Sequence, residues 1–151
     1  MTKSARTISE ITRRAIADRT AGSFDWAGRF SETDFLSRLY DLSELPSYDR
    51  RSTTAAGDIA THRESFRDWD DDWIFYDNRF DLLRCPDDEF LRFLAETVHP
   101  VVRPSVEQTE LIVAMYNEQL RVDGWKFVPT DEISGRPSSR PSGSTESLRS
   151  S

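Results

Sequence analysis

The chain has 151 residues, of which 36% are hydrophobic and 11% aromatic, with a formal net charge of -7 and a sequence pI of about 4.9; this is room for one ordinary domain, not two. Such acidity disfavours a broad electrostatic hold on nucleic acid or on an anionic membrane. No apolar run approaches the roughly 18 residues needed to span a bilayer, the first residues lack the apolar stretch of a secretory signal, and Cys85 as the single cysteine excludes an internal disulfide or a cysteine-rich zinc site.

Taken in order, Thr7 and Glu10 form a capping box ahead of Ile8, Ile11, Ala15 and Ile16, which predicts a short amphipathic helix stopping before Gly22. Whether it packs or projects is open at this level. Phe24 to Gly28 reads as an aromatic turn. Ser31, with Asp34 three residues on, starts a second helix with a Phe30–Phe35 staple, lined by Leu36, Leu39, Tyr40 and Leu42 and ended by Pro46. Ser47 to Ser52 is a polar loop, and Thr53 or Thr54 caps a third helix carrying Ala56, Ile59, Ala60 and Phe66.

Trp73 to Tyr76 and Phe80 to Leu83 flank Asp77-Asn78-Arg79, a pattern that predicts a β-hairpin. Pro86 with Asp87, Asp88 and Glu89 then opens a helix whose Phe90, Leu91, Phe93, Leu94 and Val98 share one face, opposite Arg92, Glu96 and His99. Pro100 ends it, and Val101 to Arg103 is expected to be extended. Ser105 and Gln108 cap a helix apolar around most of its girth, which is expected at the centre of the fold, and Asp123-Gly124 stops it before the strand Trp125 to Val128. A lone hairpin is marginal in water, so this strand is expected to join it. From Ile133 the composition turns to Ser, Arg, Pro and Gly, too little apolar surface to offset ordering entropy, and a disordered tail is expected. The fold class is therefore α+β and mostly helical: about five helices against a small antiparallel sheet made of a hairpin near 73–83 and a strand near 125–128. The predicted divisions are an N-terminal helix at 1–23, a domain at 24–132 and a tail at 133–151.

Arg92 and His99 have six residues between them, Glu96 among these, a spacing used by helical HEPN-type nucleases in which the histidine handles a ribose hydroxyl proton and the arginine stabilises phosphate charge. Glu96 at i, i+4 from Arg92 would pair with it and repel phosphate, and His99 can instead serve the last carbonyls of its helix. His62 falls on the apolar side of its helix, where a satisfied core histidine is the favoured reading. Asp68, Asp70 and Asp72 alternate as calcium ligands do, but Trp73 stands where the loop needs glycine and Arg79 where it needs its closing carboxylate, so a solvated acidic loop is favoured. No phosphate-binding glycine loop or nucleophile elbow is present. No catalytic residue, metal site or cofactor is expected; the binding surface expected is Arg92, Glu96 and His99 with Asp68, Asp70 and Asp72.

Trp26-Ala27-Gly28-Arg29, Asp34-Phe35-Leu36, Leu39-Tyr40-Asp41-Leu42, Leu45-Pro46-Ser47, Asp58-Ile59 with His62, Asp68-Trp69-Asp70 with Trp73, Phe90 to Leu94 with His99-Pro100, and Asn117 with Leu120 and Asp123-Gly124 form a spread pattern. Over about residues 24 to 128 it resembles the AbiJ N-terminal domain family, and within it the third named type. The resemblance implies a non-catalytic sensor or regulatory module of a bacterial abortive-infection, anti-phage system, often placed ahead of an effector, and a cytoplasmic location is expected from the lack of a membrane-spanning or secretory stretch. Here only the tail follows Val128, so a solitary sensor or a shortened product is expected. The expected partner is an effector protein or a phage-derived ligand, with no membrane, no direct nucleic acid, and a homodimer left open. The alternatives are a small HEPN-like ribonuclease using Arg92 and His99, and an antitoxin-like protein-interaction partner.

Overall fold

The computed structural model describes residues 7–131 and 137–143; Met1 to Arg6, and all of the expected tail except 137–143, lie outside the described residues. In order the elements are α1 (Glu10–Ser23), α2 (Glu32–Ser37), a 3-10 turn at Leu42–Glu44, α3 (Ala55–Ile59) running into a π-helical turn at Ala60–Ser65, α4 (Trp73–Tyr76), α5 (Asp87–Thr97), α6 (Val106–Leu120), a second 3-10 turn at Arg121–Asp123, and β1 (Trp125–Asp131). The chain is thus mostly helical. β1 is the short strand expected near 125–128, and its backbone runs antiparallel to β2 (Pro137–Gly143). Among the described residues, no helix is long and apolar enough to cross a membrane.

The expected hairpin at 73–83 does not form. Trp73, Ile74 and Phe75 are all buried in succession, which a one-sided strand with alternating faces cannot achieve, and they make the single turn of α4. Phe80, Leu82 and Leu83 follow through turns in which Asp77 accepts the Arg79 amide and Asp81 takes a left-handed φ of 55°. Without that hairpin the expected three-stranded sheet is absent among the described residues.

The core is built from rings. Trp26, 2% exposed, packs edge-on against Phe35 at 5.3 Å and Trp73 at 6.2 Å and tilts against Phe93 at 5.8 Å. Rings in T-shaped contact add stabilisation beyond the area they bury. α5 supplies the face the sequence shows: Phe90, Leu91, Phe93, Leu94 and Val98 are all buried. Its acidic first turn has an unforeseen partner in Arg13 of α1. That guanidinium is buried and donates to the Leu82 and Cys85 carbonyls and to Asp87 while lying 4.8 Å over Phe90. Arg13 fixes α1 to the start of α5, so the first helix packs. α1 is capped by Ser9 rather than Thr7, and Ile11 points outward at 80% exposure.

Two further expectations are corrected. Val101 to Arg103 is a tight elbow, because the amides of Val102 and Arg103 both donate to the His99 carbonyl. α6 is not central: Ile112, Val113, Tyr116 and Leu120 are buried, but Leu111 stands 73% exposed. Its apolar girth exceeds what its neighbours cover. The caps do follow the sequence, with Ser105 accepting the Gln108 amide and Gly124 at φ 82° closing the end. Asn117 holds β1 in place through both the amide and the carbonyl of Phe127.

The Phe24–Arg29 turn is docked on the elbow through Gly28, at φ 62°, where an added Cβ would lie 2.2 Å from the Val102 carbonyl oxygen. That oxygen also accepts the Arg29 amide. Gly28→Ala is therefore expected to destabilise the chain by about 2 kcal/mol or more, from backbone strain and displacement of the elbow. Gly22→Ala, inside α1 with nothing among the described residues within 4 Å of the new methyl, is expected to stabilise it by about 0.5–1 kcal/mol. Urea unfolding of both variants checks the pair.

Candidate functional site

Where α3 passes into the π turn, one extra residue per turn brings His62 and Arg63 out on the same side of the fold. The Phe66 amide closes the widened turn on the Thr61 carbonyl at 2.8 Å, and Arg67 leaves it with a left-handed φ of 55°. π turns recur at functional sites because they re-aim side chains that a regular helix would bury. Here each of the two basic side chains is held among carboxylates.

His62 Nδ1 is 2.7 Å from Asp68 Oδ1, and its Nε2 is 2.9 Å from Asp49 Oδ2 and 3.6 Å from Asp58 Oδ1. The ring stacks on Trp69 at 4.7 Å with planes 6° apart. Burial works against the imidazolium, but the hydrogen bonds to Asp68 and Asp49 outweigh it, and the His62 pKa is raised above its ordinary value. Asp49 is held well below the usual carboxylate range by the guanidinium and amide of Arg51, with a further contribution from His62. Asp58 is wholly buried. Its Oδ2 accepts from the Tyr48 amide at 3.1 Å and from Arg79 Nη1 at 3.0 Å. Arg79, also buried, donates to Asp77 and the Pro46 carbonyl and lies 4.3 Å over the Tyr48 ring. The Asp58–Arg79 pair therefore joins the 47–52 loop, α3 and the 77–81 turn. The groups with metal-ligand chemistry that converge are Asp49, Asp58 and His62.

Arg63 organises the adjoining side. It donates to both oxygens of Glu32, to Asp71 and to the Trp69 carbonyl, while Trp73 Nε1 also reaches Glu32 at 3.0 Å and Trp26 Nε1 reaches the Asp71 carbonyl at 3.0 Å. Glu32 above all, then Asp71, raise the Arg63 pKa further against its burial. The acidic 68–72 loop is thereby hung between His62 and Arg63, and its rings continue inward from Trp69 to Trp73 and Trp26.

The residues expected from the sequence fall in two places. Asp68 belongs to the His62 cluster. Asp70 contributes its carbonyl to the Trp73 amide, and Asp72 precedes α4 with its carbonyl accepting the Phe75 amide. Arg92, Glu96 and His99 are elsewhere, on the outer side of α5: Arg92 donates to the Leu39 carbonyl, Glu96 pairs with Arg38 rather than Arg92, and His99 Nδ1 accepts the Val101 amide. His62 is satisfied as expected, but by carboxylates instead of an apolar core. Asp58 and Asp49 were not among the expected site residues; the i, i+4 spacing of Asp58 and His62 is a signal for the first, and the 47–52 loop conceals the second.

A separate concavity of about 890 Å³ lies between the end of α1, the 24–29 turn, the elbow and α6. Its wall is largely apolar, from Phe24, Val102, Leu111, Ile112 and Met115, and its charged lining residues are Arg19, Arg29, Arg103 and Asp25.

Burial sets the expected weight of these ion pairs. Arg63→Met is expected to cost about 2–4 kcal/mol, since it strips four bonds from a side chain only 16% exposed. Arg51→Ala, from a side chain 61% exposed, is expected to cost less than about 1 kcal/mol. Chemical denaturation of the two variants checks the contrast.

Neither the curated proteins nor the solved structures yield a match to the chain. The model of the AbiJ N-terminal domain 3 family does match, over residues 7–139, so that α1, the acid–histidine cluster, the elbow and α6 all lie within the matched region. The chain therefore belongs to the AbiJ N-terminal domain 3 family, whose name ties it to abortive-infection defence.

Proposed function

We propose that the chain is a non-catalytic recognition module of an anti-phage abortive-infection system, and that it docks an acidic segment bearing apolar side chains from a protein partner. The observation that carries this reading is the uncovered face of α6, where Leu111 is 73% exposed beside a cavity of about 890 Å³. Concavities of this size with mostly apolar walls and a few polar groups are the usual form of binding clefts. An apolar floor with a charged rim is also ordinary interface anatomy.

Charge selects the partner's chemistry. The chain carries a net -7, yet the charged lining of this cavity is three arginines and one aspartate. Arg103 is committed to the Thr97 and Asp25 carbonyls and Arg29 Nε donates to the Val101 carbonyl, which leaves the exposed Arg19 and the remaining guanidinium nitrogens of the exposed Arg29 to meet carboxylates. The cavity is favoured over the α5 surface because it is concave and has an apolar wall, whereas Arg92, Glu96 and His99 serve Leu39, Arg38 and Val101. The non-catalytic part of the reading rests on the engagement of His62, Asp49, Asp58 and Asp68 with one another, away from the large cavity.

A photo-crosslinking residue at position 111, in cells with and without phage, tests the reading. One partner protein is expected to crosslink, in uninfected cells if it is the effector and only after infection if it is phage-derived, and Arg29→Glu is expected to abolish the crosslink. Leu111→Asp is expected to fold normally and to lose phage protection. A folded Leu111→Asp chain that protects fully would overturn the reading, as would RNA cleavage by the purified chain that His99→Ala removes.

A further inference from the structure

Asp58 keeps one oxygen buried and unpaired. Its Oδ2 is served by Tyr48 and Arg79, but Oδ1 has no hydrogen-bond partner among the described residues, and the residue is fully buried. Leaving a carboxylate oxygen without a donor in the interior is costly. The group it faces is His62 Nε2 at 3.6 Å, beyond hydrogen-bond range. A protonated His62 bridging Asp49 and Asp68 explains two of the close contacts but does nothing for this oxygen.

A cation would. Asp49, Asp58 and His62 each offer one ligand atom, and those atoms lie within 4.8 Å of one another. Around a tetrahedral ion with bonds of about 2.0–2.1 Å, ligand atoms stand roughly 3.3–3.5 Å apart. The His62 Nε2 separations of 2.9 Å to Asp49 and 3.6 Å to Asp58 bracket that value. On the far side of the ring, Asp68 at 2.7 Å from Nδ1 is the carboxylate that holds a ligating histidine in the tautomer leaving Nε2 free to bind metal. Charge fits as well, since the carboxylates of Asp49, Asp58, Asp68 and Asp77 outnumber the guanidinium groups of Arg51 and Arg79 by two.

We propose that Asp49, Asp58 and His62 bind a divalent first-row transition cation of the zinc or manganese class, with Asp68 orienting the imidazole. One imidazole with two carboxylates suits such ions better than magnesium. The bound ion fastens the 47–52 loop to α3 and, through Asp68, to the 68–72 loop, and its role is structural.

The test is calorimetric titration of the full chain, stripped with chelator, with zinc, manganese and magnesium chlorides. One equivalent of zinc or manganese is expected to bind, with magnesium at least tenfold weaker, and His62→Gln and Asp49→Asn each weakening zinc at least tenfold. Asp68→Asn is expected to weaken it about tenfold through the lost orientation of the ring. Asp49→Asn alters a half-exposed loop, so it remains informative even where a change at Asp58 or His62 disturbs folding. In the unaltered chain, zinc is expected to move the ¹⁵N resonance of His62 Nε2 far more than that of Nδ1. Failure of the folded chain to bind a stoichiometric transition metal, zinc affinity unchanged in both Asp49→Asn and His62→Gln, or an unmoved His62 Nε2 resonance would each overturn the proposal.

Discussion

The buried pair of Asp58 and Arg79 is the constraint on which the acid–histidine side of the molecule depends. A charge with this little solvent survives only when paired and hydrogen-bonded, and the two residues satisfy each other while collecting the Tyr48 amide, the Pro46 carbonyl and Asp77. Those contacts bring together segments distant in sequence and leave Asp58 with its second oxygen directed at His62. The π turn carries His62 to Asp49 and Asp68 and Arg63 to Glu32 and Asp71, on either side of the 68–72 loop.

From that face a series of rings leads inward. His62 stacks on Trp69, Trp69 meets Trp73, and Trp73 meets Trp26 at the centre of the core. Close-packed rings transmit displacement because they have no slack to absorb it. Trp26 itself belongs to the turn that Gly28 docks on the elbow, and Phe24, Asp25, Gly28 and Arg29 of that turn line the large cavity. The proposed cation site and the proposed docking cleft are therefore joined by a continuous series of ring contacts from His62 through Trp69 and Trp73 to Trp26.

Much of the fold was legible where local chemistry and tertiary packing agree. α5 has its proline start, acidic first turn and apolar face in the sequence, and each is found in the structure. Ser31, Ser105 and Gly124 cap as their residue types direct. Legibility failed where a long-range contact decides. The Trp73–Leu83 stretch has strand-forming residues, but Arg79 is drawn to Asp58 across the fold and the chain turns instead of extending. The apolar girth of α6 suggested a central helix, whereas Leu111 lies on an open face. Of the site, Asp68 and His62 were noticed separately. Asp58 is visible in the i, i+4 spacing to His62, while Asp49 reaches His62 only through the path of the 47–52 loop, for which the sequence carries no periodic signal.

Family membership and geometry thus describe a small defence-related domain with an acid-bound histidine on one side and an apolar cleft on another. The acid–histidine side depends on the Asp58–Arg79 pair acting as a coupled unit instead of as two independently tolerated charges. A double-mutant cycle with Asp58→Asn, Arg79→Met and the combination, read by urea unfolding, measures that coupling directly. The account predicts a coupling of about 2 kcal/mol or more, the double variant being much less destabilised than the two single losses added together. Additivity within about 0.5 kcal/mol would contradict it.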